Sequence, residues 1–132
     1  MDDKNFVAIG RIIFETPGFD WNIPHTHFIV NKTAFGNYES TNLEFILDSV
    51  GSTVEESAQN LSRLTASYVM DIIINRKGHD DLIEVVKESH MEDYWAEYRA
   101  IEIKLSRTSC LPRMFWQEKT GNCLKFQTQA MM

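Results

Sequence analysis

The fold is decided by the stretch GSTVEESAQNLSRLTASYVMDIIINRKG, residues 51–78. Thr53 and Glu56 match a capping box, in which the threonine hydroxyl accepts a hydrogen bond from an amide of the first helical turn and the glutamate reaches back. Side chains suited to a core then recur every three or four residues, the period of one helix face. They are Val54, Ala58, Leu61, Thr65, Tyr68, Val69 and Ile72. The final Lys-Gly pair supplies a cation and a C-cap. The stretch therefore predicts one long amphipathic helix over 53–77.

Three strands are expected ahead of this helix. Residues 5–15 are almost continuously apolar, as in a strand covered on both faces. Residues 27–35 and 38–50 also read as strands, and Gly36-Asn37 between them favours a hairpin turn. In the third strand, one face would carry Leu43, Phe45 and Leu47 and the other Glu44, Ile46 and Asp48. Consecutive strands joined by short turns form an antiparallel meander.

A second helical segment is expected over 80–106. A second capping box, Ser89-His90-Met91-Glu92, lies inside it and marks a new helix start. An apolar stripe follows, made of Tyr94, Trp95, Tyr98, Ile101 and Leu105, and the outward residues are Glu97, Arg99 and Glu102. Pro112 ends the helical pattern. We also expect a strand over 122–128 in the tail.

Together these elements predict a two-layer α+β domain over 1–106. A three-stranded antiparallel meander is packed by the 53–77 helix, and the 80–106 segment covers or extends this unit. Residues 107–132 form a C-terminal tail with the added strand.

Composition places the chain among ordinary globular proteins. It has 132 residues, of which 43% are hydrophobic and 24% charged, and a net charge of −6. No apolar run approaches the roughly 20 residues of a membrane helix, and the N-terminus lacks the pattern of a secretory signal. Cys110 and Cys123 are too few for a disulfide framework. We therefore expect a reduced, cytoplasmic protein with no membrane partner.

The charge is unevenly distributed along the chain. Residues 1–78 carry a net charge of −4, residues 79–104 carry −5 and residues 105–132 carry +3. An acidic helical segment of this kind disfavours nucleic acid as a ligand and favours a basic protein partner, although solvated carboxylates on a helix face would give the same pattern. The candidate contact residues are Asp71, Glu84, Glu88, Glu92 and Glu97.

Residues 38–73 resemble a known family at motif level. The passage Tyr38-Glu39-Ser40-Thr41-Asn42-Leu43-Glu44-Phe45, followed by Gly51-Ser52-Thr53-Val54-Glu55-Glu56-Ser57-Ala58-Gln59-Asn60-Leu61 and a helix, is similar to the core signature of HicB-like antitoxins. The same pattern also has a local explanation, because glycine, an N-cap threonine and two glutamates start helices in unrelated domains.

The resemblance implies a truncated ribonuclease-H-like fold over 5–77 and a role in toxin binding. This chain departs from the family in an insertion around residues 16–27 and in lacking a recognisable DNA-binding domain in 80–132. The leading hypothesis is therefore a non-enzymatic interaction protein without a cofactor. It would bind a small basic protein, associate with itself as a homodimer or larger oligomer, or do both. A purely structural, self-assembling scaffold is another alternative.

The aromatic residues of the second helix have two interpretations. At helical spacing, Tyr94, Trp95 and Tyr98 are typical of a core. They would instead form an oligomer interface if this helix pairs with another chain and does not cover the sheet.

Two histidines near the start of the second predicted strand suggest a different function. His25 and His27 lie two apart in an extended segment, so both imidazoles should be on the same side. With His79, Asp80, Asp81 or His90 they could bind a divalent metal. The alternative hypothesis is therefore a small metal-dependent hydrolase that uses His25 and His27. Histidines at strand ends that bond to backbone groups would explain the pair equally well.

Overall fold

The structure is a computed structural model that describes residues 5–15, 25–75, 91–107, 113–119 and 125–131. Within these ranges it is an α+β fold of one antiparallel sheet and two helices. In chain order the elements are β1 (Phe6–Glu15), β2 (His25–Lys32), β3 (Tyr38–Asn42), β4 (Leu47–Gly51), α1 (Val54–Asn75), α2 (Glu92–Arg107), β5 (Arg113–Lys119) and β6 (Lys125–Met131).

The sheet has six strands in the order β4-β3-β2-β1-β6-β5, and every neighbouring pair is antiparallel. The residues of the predicted meander supply four of these strands, β1–β4. The C-terminal residues supply the other two, and β6 pairs along β1 from Ile9↔Met131 to Glu15↔Lys125. The expected strand over 122–128 corresponds to β6, whereas β5 was not predicted. The α+β prediction of a meander with an added C-terminal strand is confirmed, and the sheet has two more strands than expected, β5 and the strand gained by the division of residues 38–50.

The predicted third strand, 38–50, is wrong as a single element. The chain reverses after Asn42, and β4 returns beside β3 with Asn42 paired to Leu47. The Asn42 side chain drives the reversal, because its Oδ1 accepts the backbone N–H groups of Glu44 and Phe45, both at 3.1 Å. Ile46 closes the turn with a φ of 55°. Leu43 and Phe45 therefore lie in the turn, and Leu47 begins β4.

The helix α1 confirms the sequence prediction. Thr53 caps it, since Thr53 Oγ1 accepts the N–H of Glu56 at 3.0 Å. The Glu56 carboxylate accepts from the Ser52 hydroxyl at 2.9 Å, a variation on the expected capping box. The predicted stripe faces the sheet, with Ala58, Leu61 and Val69 fully buried. The predicted end of the helix at residues 76–78 lies outside the described residues.

One hydrophobic core lies between α1 and the sheet. Its buried members are Ala8, Ile12, Phe14, Phe28, Val30, Phe45, Ala58, Leu61, Ala66 and Val69. A buried polar network borders this core, because Asn42 Nδ2 donates to Thr26 Oγ1 at 2.9 Å and to Thr65 Oγ1 at 3.3 Å. The network satisfies polar groups that would otherwise be costly to bury, and it ties β2, β3 and α1 together.

The helix α2 covers the opposite face of the sheet. A second core there contains Ile9, Ile29, Leu43 and Tyr98, with Phe6, Met91, Tyr94, Trp95 and Ile101 packed around it. A bulge between Phe6 and Ala8 lets Phe6 reach this face. The domain therefore has three layers, helix–sheet–helix, and not the expected two. Residues 80–90 of the predicted second segment lie outside the described residues. Neither described helix is long and apolar enough to cross a membrane.

Candidate functional site

The centre of the candidate site is a histidine held by a glutamate. His27 lies on β2 and Glu44 in the β3–β4 turn, and Glu44 Oε2 is 2.6 Å from His27 Nδ1. Glu44 Oε1 also accepts the backbone N–H of His27 at 2.8 Å. A carboxylate only accepts hydrogen bonds, so Nδ1 carries the proton. The two contacts therefore fix the ring orientation and its tautomer. Both side chains are mostly buried, with 25% of His27 and 11% of Glu44 exposed.

His25 and Arg11 extend this cluster along the same sheet face. The His25 ring lies edge-on to His27, with 4.8 Å between ring centroids, which confirms that both imidazoles are on one side. Arg11 is directly opposite His27 in the β1–β2 register. Burial lowers the pKa of His25, and the nearby His27 and Arg11 lower it further, while Glu44 acts in the opposite direction. His25 is therefore neutral in this cluster at neutral pH.

Two aromatic residues of α2 pack against the His27 ring. The His27 ring is 5.1 Å from Trp95 and 5.3 Å from Tyr98, both in edge-to-face geometry. Tyr98 is only 3% exposed, and its burial, together with Glu102, raises its pKa to about 12. Tyr98 thus remains protonated over the physiological range. These contacts join β2, the β3–β4 turn and α2 at one point.

A pocket opens beside the same helix. Its volume is about 210 Å³, and the described residues that line it are Glu92, Trp95 and Arg99. Trp95 therefore both packs against His27 and lines the pocket. The exposed surface of α2 is mostly acidic, with the carboxylates of Glu92, Asp93, Glu97 and Glu102.

The predicted partner-binding residues fall on different surfaces. Glu92 and Glu97 are exposed on α2. Asp71 is exposed on α1, which packs against the other face of the sheet. The structure therefore places Glu92 and Glu97 on the same helix and Asp71 on the helix at the opposite face of the sheet. Glu84 and Glu88 lie outside the described residues.

The predicted oligomer residues all contact their own chain. Tyr94 packs edge-to-face on Phe6 at 5.3 Å, and Trp95 and Tyr98 pack on His27 and on each other at 5.7 Å. Tyr98 is buried in the second core. The aromatic stripe therefore serves as the inner face of α2, while Trp95 keeps a partly exposed edge at the pocket.

The metal hypothesis has a specific geometric difficulty. His25 and His27 are adjacent as expected, but His27 Nδ1 is occupied by Glu44, so only Nε2 remains as a ligand atom. Among the described residues no group of three His, Cys, Asp or Glu side chains is arranged to hold a metal ion. His79, Asp80, Asp81 and His90 lie outside those residues.

Sequence reasoning missed the partners that organise the cluster. Glu44 was placed on a strand face beside Asp48, yet the reversal at Asn42 sends it to His27, while Asp48 accepts from Thr41 at 2.8 Å. The Thr41-Asn42 pair was the available signal, because asparagine favours turns. Nothing local in the sequence indicated Arg11, whose position depends on strand register.

Comparison with known proteins adds no relative to this description. No protein-family model matches the chain, and no curated protein or solved structure matches it either.

Proposed function

We propose that this chain is a non-enzymatic protein-binding module similar to a HicB-like antitoxin, and that its binding face is the outer surface of α2. The observation that supports this most directly is the exposure of four carboxylates along one helix whose inner face is fixed to the sheet. They are Glu92, Asp93, Glu97 and Glu102.

The physical basis is a rigid acidic surface. Because Tyr98 and Trp95 are packed against His27, the outer carboxylates keep their relative positions when the protein is free, and little conformational entropy is lost on binding. A surface with mostly negative charge accelerates encounter with a basic partner and disfavours nucleic acid. The partner proposed here is a small basic protein in the cytoplasm.

The motif resemblance supports the same function through its residues. In the Gly-x-Thr-x-Glu-Glu turn, Gly51 ends β4, Thr53 caps α1 and Glu56 bonds to Ser52. Leu43 and Glu44, which match the Leu-Glu pair of the signature, anchor the second core and His27. These residues fix the positions of the two helices relative to the sheet, as a stable interaction domain requires.

The test is capture of a partner that depends on the acidic face. Tagged protein is purified from its native cells beside a variant with Asp93→Lys and Glu97→Lys. We expect the native chain to retain a stoichiometric basic polypeptide that is released by salt, and the variant to lose it. Ser67→Lys, at an exposed position on α1, is the control for added positive charge and should retain it. Recovery of the native chain alone, or equal capture by the variant, would contradict the proposal.

A further inference from the structure

One exposed stripe of α2 runs along the helix beside Trp95. Glu92, Ala96, Arg99 and Ile103 follow one another at spacings of four, three and four, which places them on one side of a helix. All four are exposed, and Ile103 is 54% exposed. The stripe carries one anion, one small residue, one cation and one apolar residue, and we call it the outer stripe.

The charges of the outer stripe are symmetrically placed. Glu92 and Arg99 are seven residues apart, which corresponds to about 10.5 Å along the helix axis. Both line the pocket described above, and Trp95 lies between them. The midpoint of the pair falls between Trp95 and Ala96, where a small side chain permits close approach of another helix.

We propose that the outer stripe binds the outer stripe of a second copy of this chain, with the two α2 helices antiparallel about a twofold axis near Ala96. This arrangement goes beyond the proposed function, since it adds a second copy of the chain as a partner of the same helix. Each Glu92 then faces Arg99 of the other copy, so both charge pairs form at once, as a self-complementary twofold interface requires. The aromatic edge of Trp95 is buried at the centre.

The charges exclude the other simple pairing. In a parallel arrangement Glu92 would face Glu92 and Arg99 would face Arg99, which is repulsive at both ends. The antiparallel arrangement removes both repulsions. A single helix face buries less area than the roughly 1,200–2,000 Å² of a standard interface, so we expect a reversible dimer with a dissociation constant of about a micromolar or weaker.

The same helix provides a matched control. Glu97 and Lys104 have the same charges at the same seven-residue spacing and are also exposed. They lie on the other flank of the exposed surface and do not line the pocket. If helix charge alone caused self-association, reversal at either pair would have the same effect. If the outer stripe is the interface, only the first pair matters.

The experiment measures association by sedimentation velocity over a wide range of protein concentration. We expect the native chain to dimerise and the single variants Glu92→Arg and Arg99→Glu to self-associate at least about tenfold more weakly, because each places like charges face to face. An equimolar mixture of the two variants should dimerise again, since both charge pairs are rebuilt between unlike copies. Glu97→Arg and Lys104→Glu should behave like the native chain.

Several outcomes overturn the proposal. A native chain that stays monomeric at all concentrations does so directly. If Glu92→Arg and Arg99→Glu both dimerise as strongly as the native chain, the interface lies outside the outer stripe. A mixture that stays monomeric shows that the two residues do not face each other. Partner capture is independent of these readouts, since its variants lie off the outer stripe, so either proposal can fail without the other.

Discussion

Glu44 accepts two hydrogen bonds from His27: Oε1 accepts the backbone N–H at 2.8 Å, and Oε2 accepts the ring Nδ1–H at 2.6 Å. The residues are 17 positions apart in the chain, and their contact closes the β3–β4 turn onto β2. Because the same histidine ring supports Trp95 and Tyr98, this pair also determines where α2 can sit. The position of the proposed binding surface therefore depends on a buried polar contact beneath it.

Removing the glutamate should destabilise the fold. Glu44→Ala deletes two hydrogen bonds to a charged group and leaves the His27 donors without their acceptor, so we expect a loss of about 2–3 kcal/mol in the free energy of unfolding. Urea denaturation monitored by circular dichroism measures it. Glu97→Ala removes an exposed carboxylate and should leave the midpoint unchanged. Equal urea midpoints for Glu44→Ala and Glu97→Ala would show that the Glu44–His27 hydrogen bonds contribute nothing to stability.

The stability of the protein should fall on mild acidification because of His25. Burial, His27 and Arg11 lower its pKa below the ordinary 6.5, so the unfolded chain binds this proton at a higher pH than the folded chain. Acid therefore favours the unfolded state below about pH 6.5, and the loss is complete once the pH is below the lowered pKa. His25→Gln should flatten the dependence of the urea midpoint between about pH 5 and pH 7. An unchanged slope would assign the effect to other groups.

Gly51 should tolerate no side chain. A Cβ at this position would lie against the backbone N of Ser57 and 2.8 Å from the carbonyl carbon of Glu56, where β4 meets the first turn of α1. We expect Gly51→Ala to cost about 1–3 kcal/mol, as overpacking does, in thermal or urea unfolding. Gly36 offers a comparison, since its φ is 86° and nothing lies within 4 Å. Gly36→Asn should be milder, because asparagine accepts positive φ.

Ile46 is a site where substitution should stabilise the protein. It has a φ of 55°, which is unfavourable for a β-branched residue, and it is 50% exposed. Ile46→Asn should therefore raise the free energy of unfolding by about 1 kcal/mol. Val50 has the same exposure and lies in β4, so Val50→Asn should lower the melting temperature. A lower melting temperature for Ile46→Asn would mean that its apolar contacts outweigh the backbone strain.

Sequence prediction succeeded where an element depends on interactions between residues close together in the chain. The α1 helix was predictable because its cap and its stripe are local patterns, and the shared side of His25 and His27 follows from strand geometry alone. The hairpin at Gly36 was predictable for the same reason, and Gly36 N bonds to Thr33 O at 3.1 Å in the turn. The split of residues 38–50 was missed, because alternation continues across the Asn42 turn and imitates a single strand.

The candidate site was only partly accessible from the sequence. Glu92 and Trp95 were identified for different reasons, one as an acidic contact and the other as an aromatic residue of the interface, and they meet at one pocket because they are three residues apart on one helix. Glu44 and Arg11 reach the histidines through pairings of distant segments. The spacing of apolar residues within a single helix or strand gives no information about such pairings.

The sequence by itself determined the elements whose causes lie within a few residues, namely the capped and amphipathic α1, the hairpin turn and the aromatic stripe of α2. Only the tertiary structure decided how the C-terminal strands joined the meander and which face of the sheet each helix covers. It inserted β6 beside β1, placed α2 on the face opposite α1 and brought Glu44 to His27. The physical reason is that strand order, strand register and helix docking are set by burial of surface between segments far apart in the chain, and this burial depends on the whole fold at once.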